Sequence, residues 1–397
     1  MIAYVGCYTA DADPETGGIF TVEVGADGDR LAVIGRTAEP RQAGYLSYAA
    51  STGTLYAVDE RKNDGRGATC RASVHSFSVS RRDGGITRLN SRPAPGPFPT
   101  YLALDERRRT LLCASHGGFD HVEHIVRTPD GGWSVEYLYD DSALLLYRLE
   151  GDGRVGELAD VLVMTGHGTD PNSSPQAGGH AQSGPHAHCA VIDPSGDWAL
   201  VCDKGTDQIH VYALGDTLGK SSSHRFPAET GPRHLAFDPV TGNAFVTCEF
   251  SSELASLAFD PASGTLRALD TVSSVDTDHR GPNEPADVRV HPGGGLVYVN
   301  NRGEDSLAWF RIGDGGTLTR LGHVPLARSA HPGLAARSFA FDPTGSFVLV
   351  ADRPADLVRS YRVDGVTGAL TPLAELTIPQ PAFIAVVDLP TVIGETP

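Results

Sequence analysis

A unit of about fifty residues recurs along this chain, and that recurrence constrains the fold more than any other feature. Four copies align: His188 to Asp203, Arg233 to Glu249, Ala286 to Asn301 and Arg337 to Asp352. Each reads as an alternating apolar strand, an Asp-Pro or His-Pro turn with glycine, and a second strand. Alternation with period two marks a half-buried strand, and Pro and Gly suit the tight turn. The turn residues Asp193, Asp238, His291 and Asp342 stand 45, 53 and 51 positions apart. A third strand with an aromatic follows each (Tyr212, Phe259, Phe310, Tyr361), and Gly264-Thr-Leu266, Gly316-Thr-Leu318 and Gly368-Ala-Leu370 lead into a fourth. Four strands in ~40–50 residues is the blade of a β-propeller.

Weaker copies occupy Tyr45 to Glu60 and Thr100 to Ser115, the latter with Glu106-Arg-Arg-Arg109 in place of the Pro-Gly turn. The N-terminal strands supply only the outer part of a blade, and 381–387 reads as a lone inner strand. The expected fold is all-β: a seven-bladed β-propeller closed by the C-terminal strand joining the N-terminal blade. Closure removes free sheet edges. A length of 397 residues at ~150 per domain would give two or three domains, and a β-sandwich or a two-domain β protein is the alternative. The repeated register favours one propeller over 1–397. Two segments, 117–140 and 165–184, do not fit the repeat and are expected as long insertions flanking the third blade.

No apolar run approaches the ~20 residues of a membrane span, so no membrane association is expected. The N-terminus, Met1-Ile-Ala-Tyr-Val-Gly-Cys-Tyr8, reads as a strand rather than a secretion leader. The six cysteines form no CxxC pair and mostly fall in strand segments, as buried thiols in a reducing cytoplasm would. The net charge of −17 argues against nucleic acid, whose affinity rests on Lys and Arg. It leaves room for a small anion drawn by local cations. A monomer or weak homo-oligomer is expected.

Stacking the repeats predicts rings of side chains around one mouth of the channel. Inner strands begin at Tyr45, Thr100, His188, Arg233, Ala286, Arg337 and Ala382. Second strands are expected to end at Glu60, Ser115, Asp203, Glu249, Asn301 and Asp352, and the next residues are Arg61, His116, Lys204, Phe250, Arg302 and Arg353. The last set forms a cationic crown suited to a carboxylate or phosphate; the plainer alternative is a set of surface ion pairs. Seven of the 15 histidines lie between His116 and His188. Their spacing matches no zinc motif, so no metal and no cofactor are expected. Of His186 and His188, one faces the mouth. No GxSxG elbow and no phosphate-binding glycine loop occurs.

Pro185-His-Ala-His188, Gly231-Pro-Arg-His234, the strand end at Glu249 and Asn300-Asn-Arg-Gly-Glu-Asp-Ser306 resemble the lactonase propellers over nearly the whole chain. That family includes bacterial 6-phosphogluconolactonases and fungal 3-carboxy-cis,cis-muconate lactonizing enzymes. The resemblance implies a metal-free site at the channel mouth, with catalytic roles for His188 (or His186), Arg233, Glu249 and Arg302. Substrate-binding roles are expected for His186, His116, Glu60, Arg61, Lys204, Arg337 and Arg353. Arg353, the long third-blade loops and Ala336 before Arg337 depart from the family pattern.

Lactone hydrolysis is the leading expectation: Arg233 and Arg302 hold the anion and the developing oxyanion, and His188 or Glu249 activates water. The alternatives are a carboxymuconate-type cycloisomerase and a non-catalytic scaffold, although the Gly-His and Trp-Asp dipeptides of WD repeats are missing at blade spacing. Arg233→Ala is expected to cost less than about 1 kcal/mol in stability.

Overall fold

A computed structural model describes residues 1–9, 16–63, 72–169 and 180–389. Seven four-stranded antiparallel sheets form the ring. Blade 1 runs, from the channel outward, Pro381–Val387, Ile2–Cys7, Gly18–Val24 and Leu31–Thr37. The innermost strands of blades 2 to 7 are Leu46–Ala49, Pro99–Asp105, Ala187–Ile192, Pro232–Phe237, Glu284–Val290 and Ser338–Phe341. Each of the seven touches the next around the channel, the last meeting Pro381–Val387. The C-terminal strand pairs antiparallel with Ile2–Cys7, Tyr4 opposite Ala385, so the closure is as the sequence predicts.

Burial explains the patterning. The second strands Thr54–Asp59, Thr110–Ser115 and Phe347–Asp352 are buried at every position. They pack against neighbouring blades on both faces, which accounts for continuous runs such as Leu111-Leu-Cys-Ala114. Outer strands such as Leu370–Thr377 bury only part of their surface.

The recurring turn aspartates act through their carboxylates. Asp193 accepts hydrogen bonds from the backbone N–H of Ser195 (3.0 Å), Asp197 (3.0 Å) and Trp198 (2.8 Å). Asp342 accepts from Thr344 (2.9 Å) and Phe347 (2.8 Å). His291 replaces aspartate because its Nδ1 accepts from the Gly293 N–H at 3.0 Å, while Nε2–H donates to the Gly345 carbonyl of the next blade at 3.0 Å.

The 117–140 segment lies inside the third blade, between its second and third strands, rather than beside it. His121–Arg127 and Trp133–Tyr139 pair only with each other. Strand content hid here because this hairpin buries little: Ile125 is 77% and Trp133 66% exposed. Of the 165–184 segment, 170–179 lie outside the described residues; Gln182 is buried and donates from Nε2 to the Lys204 carbonyl (3.0 Å) and to Asp207 (2.8 Å). Cys7, Cys113, Cys189, Cys202 and Cys248 are buried, free thiols; Cys70 lies outside the described residues. Among the described residues, no helix is long and apolar enough to cross a membrane.

Candidate active site

In five blades the innermost strand shifts register near its start, around Thr100, His188, Arg233–His234, Ala286–Asp287 and Ala382. A bulge leaves a residue unopposed and re-aims its side chain. Thr100, His188 and Arg233 thereby line one cavity of about 330 Å³ with Phe98, Phe119, Arg337 and the residues described next. Such a volume suits a small metabolite.

In blades 2 to 6 the residue at the end of the second strand completes the wall. The backbone N–H groups of Glu60, His116, Lys204 and Glu249 donate to the carbonyls of Gln42, Phe98, His186 and Gly231, and Tyr8 donates equivalently to Gln380. Arg302, opposite Glu284, holds the same place in blade 6. Glu60 and Glu249 therefore sit one position later than the sequence alignment placed them, beside Lys204 and Arg302. The crown mixes acids with cations rather than being uniformly cationic.

One position earlier stand Asp59, Asp203, Asn301 and Asp352, which fasten loops. Asp203 accepts from the His186 N–H at 2.7 Å, Asp59 from Gln42 at 3.2 Å and Asp352 from Ala327 at 3.1 Å. Asn301 donates to the Ser274 carbonyl at 2.9 Å.

Three expected site residues lie elsewhere. Arg61 turns back onto Asp59, because the true crown position is Glu60. Arg353 donates to Gln380 (3.0 Å) and to the Gly333 carbonyl (3.1 Å) and covers the Tyr8 ring, outside this cavity. His186 donates from Nδ1 to the His116 carbonyl at 3.0 Å and stacks on the His116 ring, centroids 4.7 Å apart. It backs the wall, and His188 is the histidine on the cavity.

Glu249 is the electrostatic centre. Its Oε1 accepts from Lys204 Nζ at 2.7 Å. Its Oε2 lies 2.6 Å from Arg233 Nε and 3.0 Å from Arg302 Nη2. Those two approaches lie off the N–H axes, so they are ion contacts rather than hydrogen bonds, and Arg233 Nη1 has no partner either. Burial alone would raise the Glu249 pKa, but Lys204, Arg302 and Arg233 outweigh it and hold the carboxyl far below its usual range. Burial and the Arg302 charge push Arg233 down to about 9, still a cation at neutral pH. Burial, with Arg233 next, holds His188 well below the ordinary imidazole range; burial and Lys204 do the same to His116. His116 donates from Nδ1 to the Gly117 carbonyl at 2.5 Å.

Across the mouth the carboxylate has one cation, and it stands farther off. Glu60 accepts from the Tyr8 hydroxyl at 2.5 Å and lies 3.6 Å from Arg337. The Gly-Pro-Arg-His segment has its own local cause. Gly231 has φ +63°, and a Cβ there would strike the Phe250 ring at 2.4 Å. Asp207 accepts from the N–H of Thr230 (2.9 Å) and Gly231 (2.8 Å), presenting Arg233 to the channel. Gly44 gives way to Glu60 in the same manner: its Cβ would fall 1.9 Å from Glu60 Oε2.

Sequence reasoning passed over Tyr8, Phe98 and Phe119, and the supporting acids Asp207, Asp305 and Asp356. The three acids left a sequence signal, an aspartate just before the third strand of blades 4, 6 and 7, where the structure has a positive φ. Below the cavity, Tyr45 packs against Tyr101 and Phe383, with centroids 4.1 and 4.0 Å apart, and fills the channel. Tyr45 and Ala382, expected at the mouth, are thus buried beneath it. A larger groove of about 1050 Å³, at the other end of the strands by Met1, Arg81 and Asp388, gathers no such buried charges. No group of three or more metal-ligating side chains occurs among the described residues.

Residues 2–386 match the family model described as Lactonase, 7-bladed beta-propeller. The 6-phosphogluconolactonase of Bacillus subtilis is 27% identical, over 96% of this chain and 97% of that protein. The 6-phosphogluconolactonase of Pectobacterium atrosepticum is also 27% identical, over 95% and 98%. A solved structure of a Lactobacillus plantarum protein superposes with a TM-score of 0.80 at 26% identity, covering 98% of this chain and 100% of that one.

Proposed function

The chain belongs to the seven-bladed β-propeller lactonase family, and from that premise we propose that it hydrolyses a lactone bearing a phosphate or carboxylate, of the 6-phosphogluconolactone kind. One observation carries this reading: a single buried carboxylate gathers three cations at 2.6–3.0 Å beside a neutral histidine, all lining one small cavity. The relatives' names favour ring opening over cyclisation.

His188 is the general base. Both oxygens of Glu249 are engaged by Lys204, Arg233 and Arg302, whereas His188 is a neutral ring on the cavity wall. Neutral His188 takes a proton from water, and the water oxygen adds to the lactone carbonyl carbon. The Arg233 guanidinium, with Nη1 free, stabilises the oxyanion. Collapse breaks the acyl–oxygen bond, and the ring oxygen leaves as a hydroxyl carrying the proton from His188. Glu249 keeps Lys204, Arg233 and Arg302 fixed at this point. Arg302 and Arg337 hold the anionic group. Five buried thiols fit a cytoplasmic enzyme, and the acidic net charge fits a small anion rather than nucleic acid as ligand.

The test is direct: 6-phosphogluconolactone and uncharged gluconolactone are supplied in parallel and ring opening is followed by acid release. Turnover at least about tenfold more efficient on the phosphorylated lactone is expected, since one charged contact is worth ~1.5–3 kcal/mol. It should be lost in His188→Ala. Absence of turnover on both lactones overturns the reading.

A further inference from the structure

We propose that Asp287 and His234, which lie beneath the cavity, form a positioning pair that fixes the tautomer of His188. The two residues occupy the same bulge position in neighbouring blades, one step below Arg233. His234 Nδ1 lies 3.0 Å from Asp287 Oδ1. A carboxylate only accepts, so the proton sits on Nδ1 and the lone pair on Nε2. Asp287 also takes Arg289 Nε on its other oxygen at 3.2 Å and the Val288 N–H at 3.0 Å. These partners keep it ionised against its burial.

Two buried nitrogens remain. His234 Nε2 has no partner, and neither has Nδ1 of His188, whose ring centroid is 5.1 Å away. Both rings are nearly inaccessible, so a lone nitrogen in each is costly. A direct hydrogen bond between the two rings satisfies both in one way: His188 carries its proton on Nδ1 and directs it to the lone pair of His234. Nε2 of His188 is then the unprotonated nitrogen, and it belongs to a ring that lines the cavity. Asp287 acts only through His234, and His234 only through His188. His116 offers a competing acceptor, since its Nε2 is also unpartnered and its ring lies 5.2 Å from His188. It lacks a carboxylate behind it, its Nδ1–H being spent on a carbonyl.

The inference rests on His188 as the base for its catalytic meaning, yet the tautomer is readable without substrate. In full-length protein with ¹⁵N-labelled histidine rings, His188 should appear as one tautomer, protonated at Nδ1. In Asp287→Asn the Arg289 guanidinium keeps the amide oxygen, which turns the N–H₂ toward Nδ1 of His234; His234 then carries its proton on Nε2, and His188 should switch to the Nε2-protonated tautomer. With substrate, kcat should fall on the order of 10²-fold while KM stays within about threefold, the pattern of a lost positioning contact. His234→Gln, whose amide oxygen supplies an acceptor near the Nε2 position, should recover to within about tenfold of the native kcat. It also serves if Asp287→Asn fails to fold. A His188 tautomer unchanged in Asp287→Asn, or a switch seen only in His116→Gln, overturns the proposal. A tautomer switch in a protein that turns over no lactone upholds the positioning pair and fails the proposed reaction instead.

Discussion

The two halves of the mouth hold a carboxylate each, and they hold it differently. Glu249, between blades 4 and 6, is completely buried and meets three cations within 3.0 Å. Glu60, on the blade 7-to-2 side, keeps some exposure, takes one phenol at 2.5 Å and stands 3.6 Å from its arginine. The same crown position thus yields a rigid electrostatic frame on one side and an adaptable rim on the other. A frame fixed before substrate arrives stabilises charge that develops during reaction. A rim of looser pairs suits the part of the substrate that merely has to be held.

Glu249→Ala tests the contrast hardest. It strands Lys204, Arg233 and Arg302 without their shared anion, so a stability loss of about 3–5 kcal/mol and loss of turnover are expected. Glu60→Ala should cost less than about 1 kcal/mol. Equal losses by chemical denaturation would erase the distinction between the halves.

Arg233→Ala should lower kcat by ~10²–10³. Arg233 is among the largest fully buried side chains, so the sequence-based expectation of a negligible stability cost gives way to about 2–4 kcal/mol. Arg233→Lys restores charge without the planar fork and should rescue in part. A folded Ala variant with normal turnover would remove Arg233 from the chemistry.

Acid should weaken the fold through buried neutral histidines on both sides of the mouth. Burial lowers His186 to about 4, and burial with Arg233 lowers His234 to about 3; His75 in blade 2 falls to about 4. An unfolded histidine titrates near ~6.5, so below that pH the unfolded chain binds more protons. The stabilisation is complete above pH ~6.5 and is lost progressively as pH falls towards these depressed values. A loss of at least about 3 kcal/mol by pH 5 is expected in denaturant titrations, from ~1.4 kcal/mol per unit per group. A flat profile from pH 7 to 5 would contradict the burial of these rings.

On the rim, Arg337→Ala should raise KM about tenfold for a phosphorylated lactone with kcat nearly unchanged, one charged contact being worth ~1.5–3 kcal/mol. The smallest effects belong to Arg61 and Arg353, outside the cavity. Alanine at Arg61 should alter stability by less than about 0.5 kcal/mol and turnover by less than about twofold. A large KM effect at Arg353 would extend the binding site past Tyr8.

The ring, its closure and the meeting of His188, Arg233, Glu249, Arg302 and Arg337 were legible because each rests on a periodic signal. What escaped was one residue of phase. Asp59-Glu60 and Cys248-Glu249 both end a strand with an acid, and the alignment followed charge rather than backbone position. Only the ladder shows that the aspartate place fastens a loop while the next residue faces the channel. The bulges around His188 and Arg233 are likewise silent in a period-2 pattern, since an added residue there reads as one more alternating position. The blade 3 hairpin escaped because nothing covers its apolar side chains, and burial is what writes a strand pattern.

The pairing of Pro381–Val387 with Ile2–Cys7 has a consequence for biosynthesis. The first blade lacks its channel strand until residues 381–387 leave the ribosome. Ile2–Cys7 therefore waits while the other six blades are made, with one row of N–H and C=O groups unpaired, an edge open to wrong partners. The propeller cannot close cooperatively during synthesis, and a chain that stops short of residue 381 is left as an open crescent. A circular permutant opened between two intact blades, which carries its own inner strand in every sheet, would escape that wait.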